Sequence, residues 1–512
     1  MEQLVARRAH NPKVVGSSPA PATSRNEKVP LVGTFFISIY YKWEQALNLR
    51  RRGRILLTME TSDGIIINMR KKTYQGDAQV DKEIEKKKVP DFQRTIRWDK
   101  LDNTAHLFPV IAGEQMTNVY RISVTLTEPV DPDLLQKALN IVLPKFDVFN
   151  VRLRRGVFWN YFEENGKRAP QIHEESTFPC QFIRPNKNNS YLFRVTYYKY
   201  RINLEVFHVL TDGMGGVNFL RELTYQYIRL QHPELDTCDA LASVTSMNRE
   251  DSFLKNYRES AKKHYKTERA YLLKGEKLHA GELGIMHGYM KTAEVKKVCK
   301  HYGCSINEYM VTSYIWSVYT ECLNRKTIDK PIRVAVPVNL RPYFNSNTTK
   351  NFFVMVSAEF RADREDYTFP QILRIVQESL KQQMTREHLE NIFSYNVSNQ
   401  QKLILRVMPL PLKNLGMKYV YRSSALANTA TITNIGRIDI AEIYRPYIEQ
   451  FHAYISISAG QHARCTVCSY NDTLVFTFAY DLVDTSLQRG FFRKLAEDGI
   501  AVEVESNGVN YG

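Results

Sequence analysis

The stretch NLEVFHVLTDGMGGVNFLREL, residues 203–223, narrows the possible folds more than any other part of the chain. Ile202, Leu204, Val206, His208 and Leu210 share one face of a strand, because successive side chains of a strand point to opposite sides. Asp212, Gly213, Gly215 and Gly216 then interrupt the alternation, and apolar residues resume at helical spacing. The pattern predicts a strand that passes through a tight glycine turn, with positive φ where needed, directly into an amphipathic helix. His208 ends the strand on its apolar face. Taken alone, it reads either as a core histidine bonded to a backbone carbonyl or as a base held at a solvent channel. Its neighbours favour the second reading, since His-x-x-x-Asp-Gly is expected by chance only about 0.04 times in a chain of this length. The turn would present the imidazole, and Asp212 would fold beneath it and fix the turn through backbone hydrogen bonds or an arginine partner. A ring with a pKa of about 6.5 suits proton acceptance near neutral pH. The glycines do not make a phosphate loop, because no Lys-Ser/Thr follows them.

The rest of the chain from about residue 95 supplies strands and helices in similar amounts on either side of a connector. VYRISVTLTE alternates as a strand, Asp131-Pro132 opens a helix through DLLQKALNIVL, and FNVRLRRGVFWNYFEE reads as two strands around an Arg-Gly turn. YLFRVTYYKYRINLEVFHVL is a second hairpin that leads into the motif. Residues 232–282 look like a connector with helical pieces. Beyond it come two helices (TAEVKKVCKHYG and SINEYMVTSYIWSVYTECL), strands IRVAVPVNL and NFFVMVSAEF, a helix near 369–386, and strands TATITNIG, YISISAG, RCTVCSY and TLVFTFAYD. SLQRGFFRKLAED closes the series as a helix. The expected class is α+β with mainly antiparallel pairing, in two lobes at residues 95–285 and 286–505, without a sequence repeat between them.

Composition excludes several alternatives. No apolar run approaches the roughly 18 residues of a membrane helix, so no membrane span is expected. Seven cysteines indicate no disulfide framework and suit a reducing, cytoplasmic setting. Cys465-x-x-Cys468 stands in a strand pattern that sends its two thiols to opposite faces, and no second pair exists, so no metal site is expected. A net charge of +16 suits an anionic partner, but the basic residues are scattered and match no nucleic-acid-binding module. Residues 1–68 stand apart. Ala9-His10-Asn11-Pro12, Gly16-Ser17-Ser18-Pro19 and Thr23-Ser24 can be encoded by the anticodon loop, T-arm and terminal CCA of a tRNA gene, in register. The segment therefore reads as translated upstream sequence without regular structure, with Met59 or Met69 as the expected start. It carries 10 Lys/Arg against 5 Asp/Glu, so the remaining chain keeps a charge of +11.

HVLTDGMGG followed by FLRELTYQYI resembles the active-site motif of the CoA-dependent acyltransferase superfamily, which includes chloramphenicol acetyltransferase, condensation domains, wax-ester synthases and alcohol acetyltransferases. GCSINEYMVTSYIWSVYT, VAVPVNLRPYF with NFF, and TITNIGRI resemble, in the same order, the superfamily's second-lobe helix, crossover-strand region and tunnel-lining segment. The resemblance implies two chloramphenicol-acetyltransferase-like lobes with a tunnel between them. It also implies acyl-CoA as co-substrate with no bound cofactor, His208 as general base, and Asp212 and Gly213 as turn residues of the motif. Asn339, Arg341, Thr433 and Asn434 become candidates for substrate contact, with Arg341 a possible partner of Asp212. Phe207 stands where condensation domains and wax-ester synthases usually carry a first histidine, the Asp-Phe-Gly-Trp-Gly segment of plant acyltransferases is absent, and no carrier-protein domain is attached. What remains is similar to stand-alone bacterial alcohol acetyltransferases, with a small alcohol as acceptor. Transfer from an acyl carrier protein to a hydroxyl or amine, and a non-catalytic scaffold that keeps the motif only for its turn, are the alternatives.

Overall fold

The computed structural model describes residues 97–237, 250–259 and 268–509, and the backbone of one short antiparallel pair, Leu57–Thr58 with Asn68–Met69. That pair departs from the expectation of no regular structure in residues 1–68. The runs beside it, Leu56-Leu57 and Ile65-Ile66-Ile67, have the β-branched and aliphatic composition that pairs readily. The remainder of the segment, including its tRNA-like stretch, lies outside the described residues, as do 238–249 and 260–267 of the connector.

The first half contributes β1 (Trp98–Lys100), α1 (Phe108–Ile111), β2 (Val119–Leu126), α2 (Pro132–Val142), β3 (Val151–Arg155), β4 (Asn160–Glu164), β5 (His173–Glu174), β6 (Phe193–Tyr198), β7 (Arg201–Phe207) and α3 (Gly213–Gln231). Helix α2 starts where the Asp131 carboxylate accepts the Asp133 and Leu134 N–H groups, with Pro132 in the first turn, an arrangement that satisfies donors the helix leaves open. The second half adds β8 (Gly284–Lys291), α4 (Thr292–Tyr302), α5 (Ile306–Ser317), β9 (Ile332–Asn339), β10 (Phe353–Phe360) and α6 (Phe369–Gln383). It continues through α7 (Arg386–Gln401), α8 (Leu410–Ala425), β11 (Ala430–Arg437), β12 (Ile448–Ile455), β13 (Ala463–Tyr470), β14 (Thr473–Tyr480), α9 (Ser486–Glu497) and β15 (Glu503–Ser506). Among the described residues no helix is long and apolar enough to cross a membrane.

Two larger sheets organise these elements. One runs β12-β2-β7-β6-β5 and the other β10-β9-β11-β13-β14-β8-β15, with a small third sheet β1-β4-β3. Pairing is antiparallel except at β5–β6, β9–β11 and β11–β13. Each large sheet has its own apolar core, one built around Ile122, Leu204, Val206 and Phe219, the other around Tyr309, Ile332, Val356 and Phe478. The expected α+β class with two lobes is therefore the observed one. The residue 285/286 boundary needs correction, because it cuts through β8, and β12 returns from the second half to pair with β2. A strand belongs to the sheet whose edge it completes, and the return of β12 covers an edge of β2 that would otherwise be open.

Candidate active site

His208 follows the last residue of β7, and its backbone N–H donates to the Asn118 carbonyl beside β2 (3.0 Å). Its ring is half-buried among aromatic rings from both lobes. Phe108 of α1 stacks on it with 4.6 Å between centroids and 20° between planes. Tyr120 of β2 meets it edge-on at 5.2 Å, and Phe353, the first residue of β10, stands at 5.7 Å. Nδ1 is buried and has no hydrogen-bond partner among the described residues. Burial lowers the imidazole pKa below its ordinary value; the charge of Arg464 acts in the same direction, while the residue's own backbone carbonyl, Asp212 and the Asn351 side chain oppose it. The ring is thus neutral, and able to accept a proton, at neutral pH.

Asp212 holds the turn. Its Oδ1 accepts the Gly215 N–H (3.3 Å) as the N-cap of α3, and Arg341 grips both oxygens, Nη1 to Oδ2 at 2.8 Å and Nη2 to Oδ1 at 3.1 Å. Oδ2 also accepts from the Phe352 N–H (3.2 Å), and the Tyr120 hydroxyl donates to the Asp212 carbonyl (2.9 Å). None of these carboxylate bonds goes to the His208 ring. A bidentate guanidinium–carboxylate pair is both directional and charge-assisted, and this one joins the start of α3 to the segment after β9.

The other sequence-selected residues divide. Arg341 spends its remaining donors on the Thr348 carbonyl (2.9 Å), the Lys350 carbonyl (2.8 Å) and Asn339 Oδ1 (3.3 Å). Asn339, exposed at the end of β9, also accepts the Arg341 backbone N–H at 3.1 Å. These two residues therefore hold each other and Asp212. Thr433 lies half-exposed on β11, opposite Thr466 of β13. Asn434 is exposed, and its Oδ1 accepts the Gly436 N–H (2.8 Å) within a β-bulge. The residue of this segment that lies beside Gly213 is Ile435.

The glycines correct the expected turn geometry, because Gly213, Gly215 and Gly216 all have negative φ. Gly215 and Gly216 are required by close approach instead. A Cβ on Gly215 would lie 1.8 Å from Thr211 Oγ1, and one on Gly216 would lie 2.7 Å from the Tyr120 hydroxyl. Thr211 cannot yield, since its hydroxyl donates to the Thr349 carbonyl (2.6 Å) and it is fully buried. Gly213 has room, with Ile435 at 3.8 Å from such a Cβ.

Sequence reasoning missed a second bridge. Asp102 accepts from the Ala105 N–H (2.7 Å) and from Asn351 Nδ2 (2.9 Å), and the same Nδ2 reaches the His208 carbonyl at 3.4 Å. Burial raises the Asp102 carboxyl to about 7 against the pull of these donors. Asp102 and Phe108 sit about a hundred positions before His208 in no motif, and only Asn351-Phe352-Phe353 carried a signal, as the NFF segment.

A cavity of about 1020 Å³, lined by neither His208, Asp212 nor Arg341, is bounded by Met116, Thr117, Cys180 and Lys277 from the first half and Lys418 and Arg422 from the second. Lys418 and Arg422 are both exposed.

No protein-family model matches the chain, and no curated protein matches it in sequence. Solved structures do match. The first condensation domain of the CDA synthetase is similar at a TM-score of 0.53 and 13% identity over 78% of this chain and 96% of that one. TRI101 of F. sporotrichioides, solved with coenzyme A and T-2, gives 0.53 and 10% over 79% and 99%. TRI101 of F. graminearum, solved with coenzyme A and T-2 mycotoxin, gives 0.52 and 10% over 79% and 99%. The chain therefore has the two-lobed fold of these solved structures, a condensation domain and TRI101.

Proposed function

We propose that the protein moves an acyl group, acetyl in the simplest case, from a CoA thioester to an alcohol. The observation that carries this reading is a neutral, half-buried His208 held between the two lobes by rings from both. With Nδ1 buried, Nε2 is the nitrogen left to meet an acceptor. It removes the hydroxyl proton as the oxygen attacks the thioester carbonyl; the C–S bond then breaks and the leaving thiolate takes that proton from the imidazolium. Asp212 and Arg341 act as positioning residues. Of the residues chosen for substrate contact, Thr433 has a hydroxyl without a partner among the described residues and is our candidate for the carbonyl oxygen. Lys418 and Arg422 suit the phosphates of CoA. A thiol-release assay with acetyl-CoA and a panel of alcohols tests the reading, and no release above that of His208→Ala would overturn it. Because a condensation domain matches as well as TRI101 does, a carrier-protein thioester is the second reading, tested by replacing acetyl-CoA with an acyl carrier protein.

A further inference from the structure

Helix α8 is apolar on two opposite faces. Leu410, Met417, Tyr421 and Ala425 recur at helical spacing on the side packed against the protein, where the helix meets α1, the element whose Phe108 covers His208. Leu412, Leu415, Tyr419 and Val420 recur at i, i+3, i+7 and i+8 on the other side, and they are 59%, 67%, 77% and 65% exposed. Such a second stripe has no use in packing α8 on this chain. It continues beyond the helix: Leu403 and Ile404 of the short preceding helix Leu403–Val407 are also mostly exposed. Val157, 70% exposed at the tip of the β3–β4 hairpin, is tied to the start of α8 by the Leu410 N–H to Val157 carbonyl bond (2.9 Å).

The segment that carries this patch holds charge of one sign. Between Glu390 and Asp439 the sequence contains no acidic residue, while Lys402, Arg406, Lys418 and Arg422 are exposed there, and Arg155 stands at the hairpin tip. Lys413, by contrast, points inward, over the Trp159 ring and onto the Phe158 carbonyl (2.8 Å). An exposed aliphatic and tyrosine stripe flanked by cations is the pattern of a helix that lies in the headgroup region of a bilayer, its apolar side chains entering the acyl boundary while the cations meet anionic headgroups.

We propose that the outer face of residues 402–422, with the β3–β4 hairpin tip, docks the protein peripherally on an anionic lipid bilayer. Because Lys418 and Arg422 of the same helix also line the cavity, docking holds the cavity mouth at the membrane surface. The docking does not depend on acyl transfer and is read without it.

The test is flotation of the purified full chain with vesicles of neutral phosphatidylcholine alone or with about 30% anionic phosphatidylglycerol, at low and high salt. The expected result is flotation with the anionic vesicles, weakened by salt, and a bound fraction about tenfold lower for the triple variant Leu412→Glu, Leu415→Glu, Tyr419→Glu with an unchanged melting temperature. A double variant, Leu403→Ser with Ile404→Ser, should give an intermediate loss. Absence of flotation with anionic vesicles at low salt overturns the proposal, as does flotation that survives the triple variant. A dimer in light scattering that the triple variant dissociates, with no vesicle binding, would show that a second copy covers the face instead.

Discussion

Removing the Asp212 carboxylate should unfold the turn before it touches the chemistry. In Asp212→Ala, the Arg341 guanidinium loses both carboxylate bonds, the Gly215 and Phe352 N–H groups lose their acceptor, and α3 loses its cap. The Arg341 and Asp212 side chains are only 15% and 10% exposed, so the scale for a buried pair applies. Breaking such a pair from one side costs about 3–5 kcal/mol, of which the lost cap accounts for roughly 1. Spread over roughly 400 ordered residues at about 2.1 cal/mol/K each, that loss lowers the melting temperature by about 4–6 °C. Asp212→Asn keeps an acceptor for the cap while losing the charge, and should fall between wild type and Asp212→Ala. The assay is denaturant unfolding with the midpoint and slope fitted together, since a changed slope would point to an altered denatured state. Asp212→Ala with a stability within about 0.5 kcal/mol of wild type would refute the claim that this pair fixes the turn.

Other outcomes follow from the same geometry. Gly215→Ala and Gly216→Ala should each cost about 1–3 kcal/mol by overpacking against Thr211 and Tyr120, whereas Gly213→Ala, with Ile435 at 3.8 Å, should melt near wild type; thermal unfolding of the three compares them directly. Because burial lowers the His208 pKa, the acid limb of kcat/KM should lie below about pH 6.5. The sign for stability agrees: the folded state favours the neutral ring, so its contribution is full above the unfolded pKa and is lost as pH falls through the folded one. A pH–rate profile with its acid limb above 6.5 would contradict this. Donor KM should rise with salt for acetyl-CoA but little for a neutral short thioester, and Arg422→Gln should reduce that difference.

The parts of the fold written in local pattern were legible, and the parts set by distant contacts were not. The β6–β7 hairpin, the Asp131 cap and the passage from β7 into α3 all follow from alternation and capping within a few residues. Helix α8 escaped because its apolar residues occupy two faces, which cancels the single-stripe signal of an amphipathic helix. The return of β12 to β2 is a pairing between residues more than three hundred positions apart, and local spacing carries no trace of it. At the site, the motif named His208, Asp212 and Gly213, and PVNLR supplied Arg341 as the carboxylate's partner. The ring's surroundings, Phe108, Tyr120 and the Asp102–Asn351 bridge, are polar and aromatic residues of ordinary type that acquire meaning only when segments distant in sequence meet. The glycines were assigned the wrong physical reason: a turn of this kind needs missing side chains, and no left-handed backbone.

The central claim is that His208 moves the proton in acyl transfer, and the most direct test is single-enzyme thiol release from acetyl-CoA with an alcohol acceptor, compared between wild type and His208→Ala at equal folded concentration. General-base catalysis predicts a kcat lower by about 10²- to 10⁴-fold in the variant, with donor KM little changed. Equal turnover per folded molecule in the two proteins would contradict it.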